Sequence, residues 1–202
     1  MTEIPHTRAK NALTQTAFDG LLSALDAEDR DAAGEKYILL REHLRLFFNW
    51  RGCPAPEDHA DETLNRAARR LEAGEIVNDF RAYVFGVARF LHHEIIREEE
   101  KTRRSLAEMG NQTAVDSSEE KLRREKRLDC LEKCLSAISD ADRDLITAYY
   151  QGEQKLKIEN RKKLLDSLNL KPSGLRMRAL RLREKLEICL QNCLERIVAQ
   201  NK

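Results

Sequence analysis

Arg176, Arg178, Arg181, Arg183 and Lys185 are interleaved with Leu175, Ala179, Leu182 and Leu186. The apolar positions recur at helical spacing, so one face of a helix is apolar and the other carries guanidinium groups. A guanidinium pairs bidentately with guanine or binds phosphate, and the spacing leaves open which. Lys171, Pro172, Ser173 and Gly174 come just before this stripe. Ser173 is placed to meet a phosphate at the positive end of the helix dipole. An earlier short stripe, Leu164, Leu165 and Leu168, runs into Asn169, a residue that tolerates a left-handed backbone better than most non-glycines. A helix, a tight turn and a second helix with an arginine-rich front form the pattern of a helix-turn-helix whose second helix enters a DNA major groove. Lys171, Ser173, Arg176, Arg178 and Arg181 are therefore candidate DNA-binding residues. Lys155, Lys157, Arg161, Lys162 and Lys163 precede the motif; they either strengthen its field toward a DNA backbone or form a solvated helix face.

Other residue types with chemistry are sparse. Cys130 and Cys134 are four apart, as are Cys189 and Cys193. Two such pairs could make a four-thiolate metal site if their helices met, and disulfide chemistry is the other alternative, but all four continue apolar stripes, and core packing is the expected role. His92 and His93 are adjacent, so they point to different sides of a helix and do not suggest a metal site. The chain has no Gly-rich phosphate loop, metal-spaced cluster or nucleophile motif, so neither an enzyme nor a cofactor is expected.

These candidates need helices to position them. With 202 residues the chain can form one large or two small domains, and its four prolines and eight glycines argue against an all-β or loop-rich architecture. Charged residues are 35% and aromatics 5%, which implies a charged surface over an aliphatic core. The net charge of +1 says nothing about nucleic acid, but the acidic residues cluster early and the basic ones from Lys155 to Lys185. The N-terminal stretch has no apolar core suited to a signal peptide, and no run approaches membrane-spanning length. Together with an odd number of cysteines, five, this leads us to expect a reduced, cytoplasmic setting without membrane insertion.

Apolar periodicity predicts an all-α fold. Helices are expected over 18–25, over 31–51 with Tyr37, Leu40, Leu44 and Phe47 or Phe48 inward, from Glu57 or Asp58 to Leu71, and over 80–99. Gly52 to Pro56 should stop the second of these. Periodicity fails between Glu98 and Lys126. The expectation is two small helical domains, 15–100 and 127–198, joined by a polar linker over 101–126 whose ends can be helical. In the second domain Leu128, Leu131, Leu135 and Ile138 should form the first stripe, and Ser139 should cap a helix over 141–150.

Two blocks resemble one family. Pro56 to Leu71 (PEDHADETLNRAARRL) and Asp79 to Glu98 (DFRAYVFGVARFLHHEIIRE) look like region 2 of the bacterial sigma-70 family factors of the extracytoplasmic-function group. Asp58, Asp61, Glu62, Thr63 and Leu64 match that family's acidic helix, with Asp61 where Gln is commoner. Phe80, Arg81, Ala82, Tyr83, Phe85, Ala88 and Arg89 match its next helix. Leu131 to Leu186 resembles region 4, with Leu170 to Leu186 in register on the family's recognition helix. Asn169 stands where Gly is usual, Gly174 where Thr is common, and the charged segment 153–163 is extra. The resemblance covers most of residues 30 to 190, in the family's order.

The resemblance implies a sigma factor that binds core RNA polymerase and directs promoter-specific initiation. Asp58, Asp61, Glu62 and Arg66 would dock on the β′ clamp, and the second domain would meet the β flap and the −35 element. The 72–79 loop and following helix would capture a −10 base. Asn78, Arg81 and Tyr83 are suited to that, and Arg89, His92 and Arg97 to phosphates. Tyr83 can equally be a core aromatic. An anti-sigma factor is a further partner of such proteins. Two other readings stand beside this one. A sigma mimic could sequester an anti-sigma factor, although its basic face should then be eroded. A helix-turn-helix regulator could act without polymerase, but would not explain the 56–98 block.

Overall fold

A computed structural model describes residues 13–108, 118–152 and 154–200. Among the described residues every helix or strand element is an α-helix, and no helix is long and apolar enough to cross a membrane. The chain divides into two compact units, Met1–Thr113 and Ala114–Lys202.

The first unit contains α1 (Gln15–Leu25), α2 (Arg30–Trp50), α3 (Pro56–Glu72) and α4 (Phe80–Glu108). Each start has a local cause. The Thr14 hydroxyl accepts from the backbone N–H of Ala17, and the Asp29 carboxylate accepts from those of Asp31 and Ala32. Pro56 opens α3 at a position where its missing N–H costs nothing. Asp79 Oδ1 accepts from Ala82 N at 2.9 Å and so starts α4. α3 ends through Gly74 at φ +91°, with Gly74 N–H on the Leu71 carbonyl (2.9 Å) and Glu75 N–H on that of Arg70 (3.0 Å). That left-handed turn suits glycine, and it sets the direction of the 75–79 loop.

The core of this unit follows the periodicity closely. Leu21, Leu40, Leu44, Phe48, Ala60, Leu64, Ala67, Val84 and Ala88 are buried together. Phe47 and Phe48 both point inward, their rings edge to face at 5.1 Å. Tyr37 and Leu71 pack only partly against the cluster.

The second unit contains α5 (Ser118–Ser136), α6 (Asp140–Tyr150), α7 (Gln154–Leu168) and α8 (Pro172–Gln200). Ser139 caps α6, its hydroxyl accepting from Asp142 N–H at 3.2 Å. Leu175, Ala179, Leu182 and Leu186 of α8 are buried with Leu145 and Ile146 of α6, Cys134 of α5 and Ile138. Arg143 is the polar clasp of this core. Its guanidinium donates to the carbonyls of Leu135 (2.7 Å), Ser136 (3.4 Å) and Ile138 (3.1 Å), and it pairs with Asp140. These carbonyls lie at and just past the end of α5, where the helix supplies no partner of its own.

Three expectations change. The polar segment between the units is helical further in than expected, because α4 runs to Glu108 and α5 starts at Ser118. Residues 97–105 of α4 and 119–124 of α5 are exposed, so these turns continue the helices without burying a face there; the centre, 109–117, lies outside the described residues. On α5 the buried face carries Cys130 and Cys134, while Leu128, Leu131 and Leu135 are half-buried. The cysteines are also more than packing residues. Cys130 is disulfide-bonded to Cys193 and Cys134 to Cys189, while Cys53 is a buried free thiol. The i, i+4 pairs come together because α5 and the second half of α8 lie side by side.

Candidate nucleic-acid interface

In the second unit the candidate surface is built by one turn. α7 ends at Leu168, and Asn169 takes a left-handed backbone, φ +48°. Asn169 N–H reaches the Asp166 carbonyl at 3.4 Å, and Leu170 N–H that of Leu165 at 3.1 Å. This is the double closure that usually employs glycine, here made by asparagine, the best non-glycine for it. Leu165 and Leu170 both pack partly on the core. Pro172 then starts α8 with its φ already helical.

Burial of Leu175, Ala179, Leu182 and Leu186 settles which side of α8 faces out. Lys171, Ser173, Arg176 and Arg181 are exposed. Arg178 is not part of that free set. Its Nη2 donates to Asp142 Oδ1 of α6 at 2.8 Å, and the side chain is 41% exposed. The Arg178 pairing, the Ser139 hydroxyl and nearby Lys185 hold the Asp142 carboxyl below the usual carboxylate range, Arg178 having the largest effect. Arg178 therefore fastens α8 to α6 and orients the face from its edge. Arg183, also exposed, is engaged with Glu187 at 2.7 Å one turn on.

The basic segment before the motif is the first part of α7, which has no buried residue. Arg161 lies 4.1 Å over the Tyr149 ring, donates to the Tyr149 carbonyl at 3.4 Å, and so binds α7 to α6. Lys157 sits 5.8 Å from the Tyr150 ring. Lys155, Lys162 and Lys163 remain exposed. Of the five basic side chains, three face solvent and two serve the packing of α7 on α6.

In the first unit the structure rearranges the expected roles. Asp61 is held by a bidentate pair with Arg41 of α2, at 2.6 and 2.8 Å. Arg66 bridges Glu62 at 2.8 Å and Glu94 of α4 at 2.7 Å. Three of the four residues assigned to a polymerase contact thus tie α3 to its neighbours or to itself, and Asp58 is the one left exposed. The first turn of α3 carries Glu57 and Asp58, both exposed, whereas Asp61 and Glu62 one turn on are paired within the bundle.

The residues of the base-capture assignment are likewise partly internal. Tyr83 packs partly on the core, and its hydroxyl donates to Glu75 in the 72–79 loop at 3.0 Å. Burial, and then that carboxylate, push its phenol pKa up. Arg81 contacts His43 Nδ1 at 3.0 Å and lies 5.4 Å from the Phe85 ring. His92 is 4% exposed and abuts Phe47, which removes it from any phosphate-holding set. Arg89, His93 and Arg97 are exposed and four residues apart, so they share one side of α4. His93, not His92, belongs with the two arginines, and the i, i+4 spacing from Arg89 was the signal for it. Asn78 is exposed immediately before the Asp79 cap. Near it in the loop, Ile76 is 92% exposed, and Phe90 of α4 is 55% exposed. Neither was expected as a site residue. An apolar side chain stranded in a polar loop was the cue for Ile76.

No protein-family model, curated protein or solved structure matches this chain.

Proposed function

We propose that this protein is a sigma-type initiation factor of the extracytoplasmic-function group, which binds core RNA polymerase and directs it to promoters. The observation that carries the reading is the division of α8: Leu175, Ala179, Leu182 and Leu186 are buried, which leaves Lys171, Ser173, Arg176 and Arg181 as an exposed basic front after a tight turn. In this reading that front enters the −35 major groove, with Ser173 at the helix start toward a phosphate. Arg176 and Arg181 divide base reading and phosphate binding between them, and Arg178 holds the helix at its angle through Asp142. Exposed Lys155, Lys162 and Lys163 add non-specific attraction to the backbone.

The first unit supplies the −10 function. Asn78 and the exposed Ile76 are suited to receive an unstacked base, one by hydrogen bonds to its edge and the other by apolar contact. Arg89, His93 and Arg97 give one side of α4 a charge pattern fitted to a strand backbone. Tyr83 acts by holding the loop through Glu75. Docking on the polymerase clamp falls to Asp58 and the exposed start of α3. The same basic front argues against a sigma mimic, which has no need of it, and the four-helix first unit exceeds what a simple regulator requires.

The testing experiment joins binding to initiation. Purified core polymerase should retain the chain on a column and initiate at specific sites only in its presence. Retention without initiation on any template would favour the mimic, and DNA binding without retention the polymerase-independent regulator.

A further inference from the structure

The seam between α5 and the second half of α8 is held in an unusual way. Beyond Leu186, none of residues 187–199 is buried. Leu190, Leu194 and Ile197 are only half-buried, and a groove of about 580 Å³ lies between Arg127 of α5 and Leu190, Leu194 and Val198 of α8. Apolar burial at about 25 cal/mol per Å² cannot contribute much to a seam packed this loosely. Two disulfides tie its two sides together. Cys130 and Cys134 lie one turn apart on α5 and are buried, whereas Cys189 and Cys193 lie one turn apart on α8 and are half-buried. The cross-seam Cα–Cα distances are 5.7 Å for Cys130–Cys193 and 5.9 Å for Cys134–Cys189. The pairing order shows that the two helices run antiparallel, so all four sulfurs occupy two successive turns of one seam.

In the disulfide-bonded form no group of three or more His, Cys, Asp or Glu side chains is poised to hold a metal among the described residues. Reduction changes the donor set. It leaves four thiols, two per helix, gathered at one place and half-shielded from water. Four cysteine sulfurs are the donor number and type that a tetrahedral, thiophilic divalent cation takes, with metal–sulfur distances of about 2.3 Å. Two donors one helical turn apart on each of two facing helices can meet such a centre by rotamer changes alone, because the backbones already stand within disulfide reach.

We propose that Cys130, Cys134, Cys189 and Cys193 form a four-thiolate site for a zinc-class divalent cation when their two disulfides are reduced. Each disulfide takes two electrons and two protons from a dithiol reductant, which leaves as its own cyclic disulfide. The cation then displaces the four thiol protons to water, and the loaded site carries a net charge of −2. The same seam is thereby closed in either redox state, by two covalent rungs or by one metal centre. This assignment does not depend on the proposed role in transcription.

The test uses the full chain with Cys53→Ser, which removes the thiol of the first unit. It is reduced with a phosphine under anaerobic conditions and titrated with Co(II). The expected result is saturation at one Co(II) per chain, with the intense d–d and thiolate charge-transfer bands of a tetrahedral four-sulfur centre. Zn(II) should displace the cobalt, and four thiols should become unreactive toward an aromatic disulfide reagent. Circular dichroism should show helix content kept, or lost on reduction and restored by the metal. Absence of the tetrahedral spectrum at one equivalent would overturn the proposal. So would the same spectrum in a chain also carrying Cys134→Ser and Cys189→Ser, because only two sulfurs of the site would remain.

Discussion

Replacing Arg143 with Met keeps most of the side-chain volume and removes the guanidinium that joins the end of α5 to the start of α6. Four acceptors lose a partner, but not at equal cost. Asp140 is 79% exposed at its side chain and recovers water, so its ion pair contributes little. The Ser136 carbonyl is long at 3.4 Å and belongs to an exposed residue. The carbonyls of Leu135 (2.7 Å) and Ile138 (3.1 Å) belong to residues packed on the core. Leaving a buried acceptor without a partner costs about 1–3 kcal/mol, so the loss should be about 3 kcal/mol. Urea unfolding with the disulfides intact measures it. The single tryptophan, Trp50, lies in the first unit, so its fluorescence is an internal control. The circular-dichroism transition of the second unit should shift, and that of Trp50 should not. A loss under 1 kcal/mol, or an equal shift in Trp50 fluorescence, would refute the argument that Arg143 clasps the second unit.

Other outcomes follow from the same contacts. Arg178→Ala should cost no more than about 1 kcal/mol of stability and should couple to Asp142→Ala in a double-mutant cycle. Arg176→Ala or Arg181→Ala should leave stability alone, and at a base-reading position should weaken specific DNA binding by about 1–3 kcal/mol in a fluorescence titration. Relaxed preference at one base pair on Arg178→Ala would restore Arg178 as a reader. Asp61→Arg should lower the melting temperature of the first unit because it places like charge against Arg41. Asp58→Arg should leave melting unchanged and weaken retention on core polymerase; equal retention would remove Asp58 from that contact. Asp26 is hydrogen-bonded by Lys36 at 2.7 Å and by the N–H groups of Asp29 and Glu28, which together lower its carboxyl pKa to about 2. The folded value lies below the ordinary 3.8, so the stabilisation is present above pH 3.8 and is lost as pH falls through about 2. A carboxyl NMR titration with a midpoint near 3.8 would contradict this.

The fold was legible wherever one periodicity governed a whole helix. Leu175, Ala179, Leu182 and Leu186 announced the buried side of α8, and Leu40, Leu44 and Phe48 that of α2. Local chemistry was equally readable at Asn169 and Ser139, because a left-handed turn and a helix cap depend only on near neighbours. The sites were less legible, because a charged residue on a helix surface does not reveal what faces it across the bundle. Asp61 meets Arg41 twenty residues away, Arg66 meets Glu94, and Arg178 meets Asp142, and no i, i+4 rule anticipates those pairs. His92 and His93 differ only in the phase of α4, and the phase set by Val84, Ala88 and Leu91 buries the first. The disulfide pairing was not legible for a related reason: spacing along α5 and along α8 was visible, but the side-by-side packing that joins them was not.

Promoter-selective transcription is the most direct measurement of the central proposal. Purified core RNA polymerase should be incubated with the chain and a library of templates carrying randomised upstream sequence. The RNA produced is then sequenced. Initiation should occur only when the chain is present, from templates sharing two short upstream elements. Arg176→Ala with Arg181→Ala should abolish the upstream preference while binding to core polymerase persists. Initiation independent of the chain, or enrichment unchanged by the double substitution, would contradict the proposal.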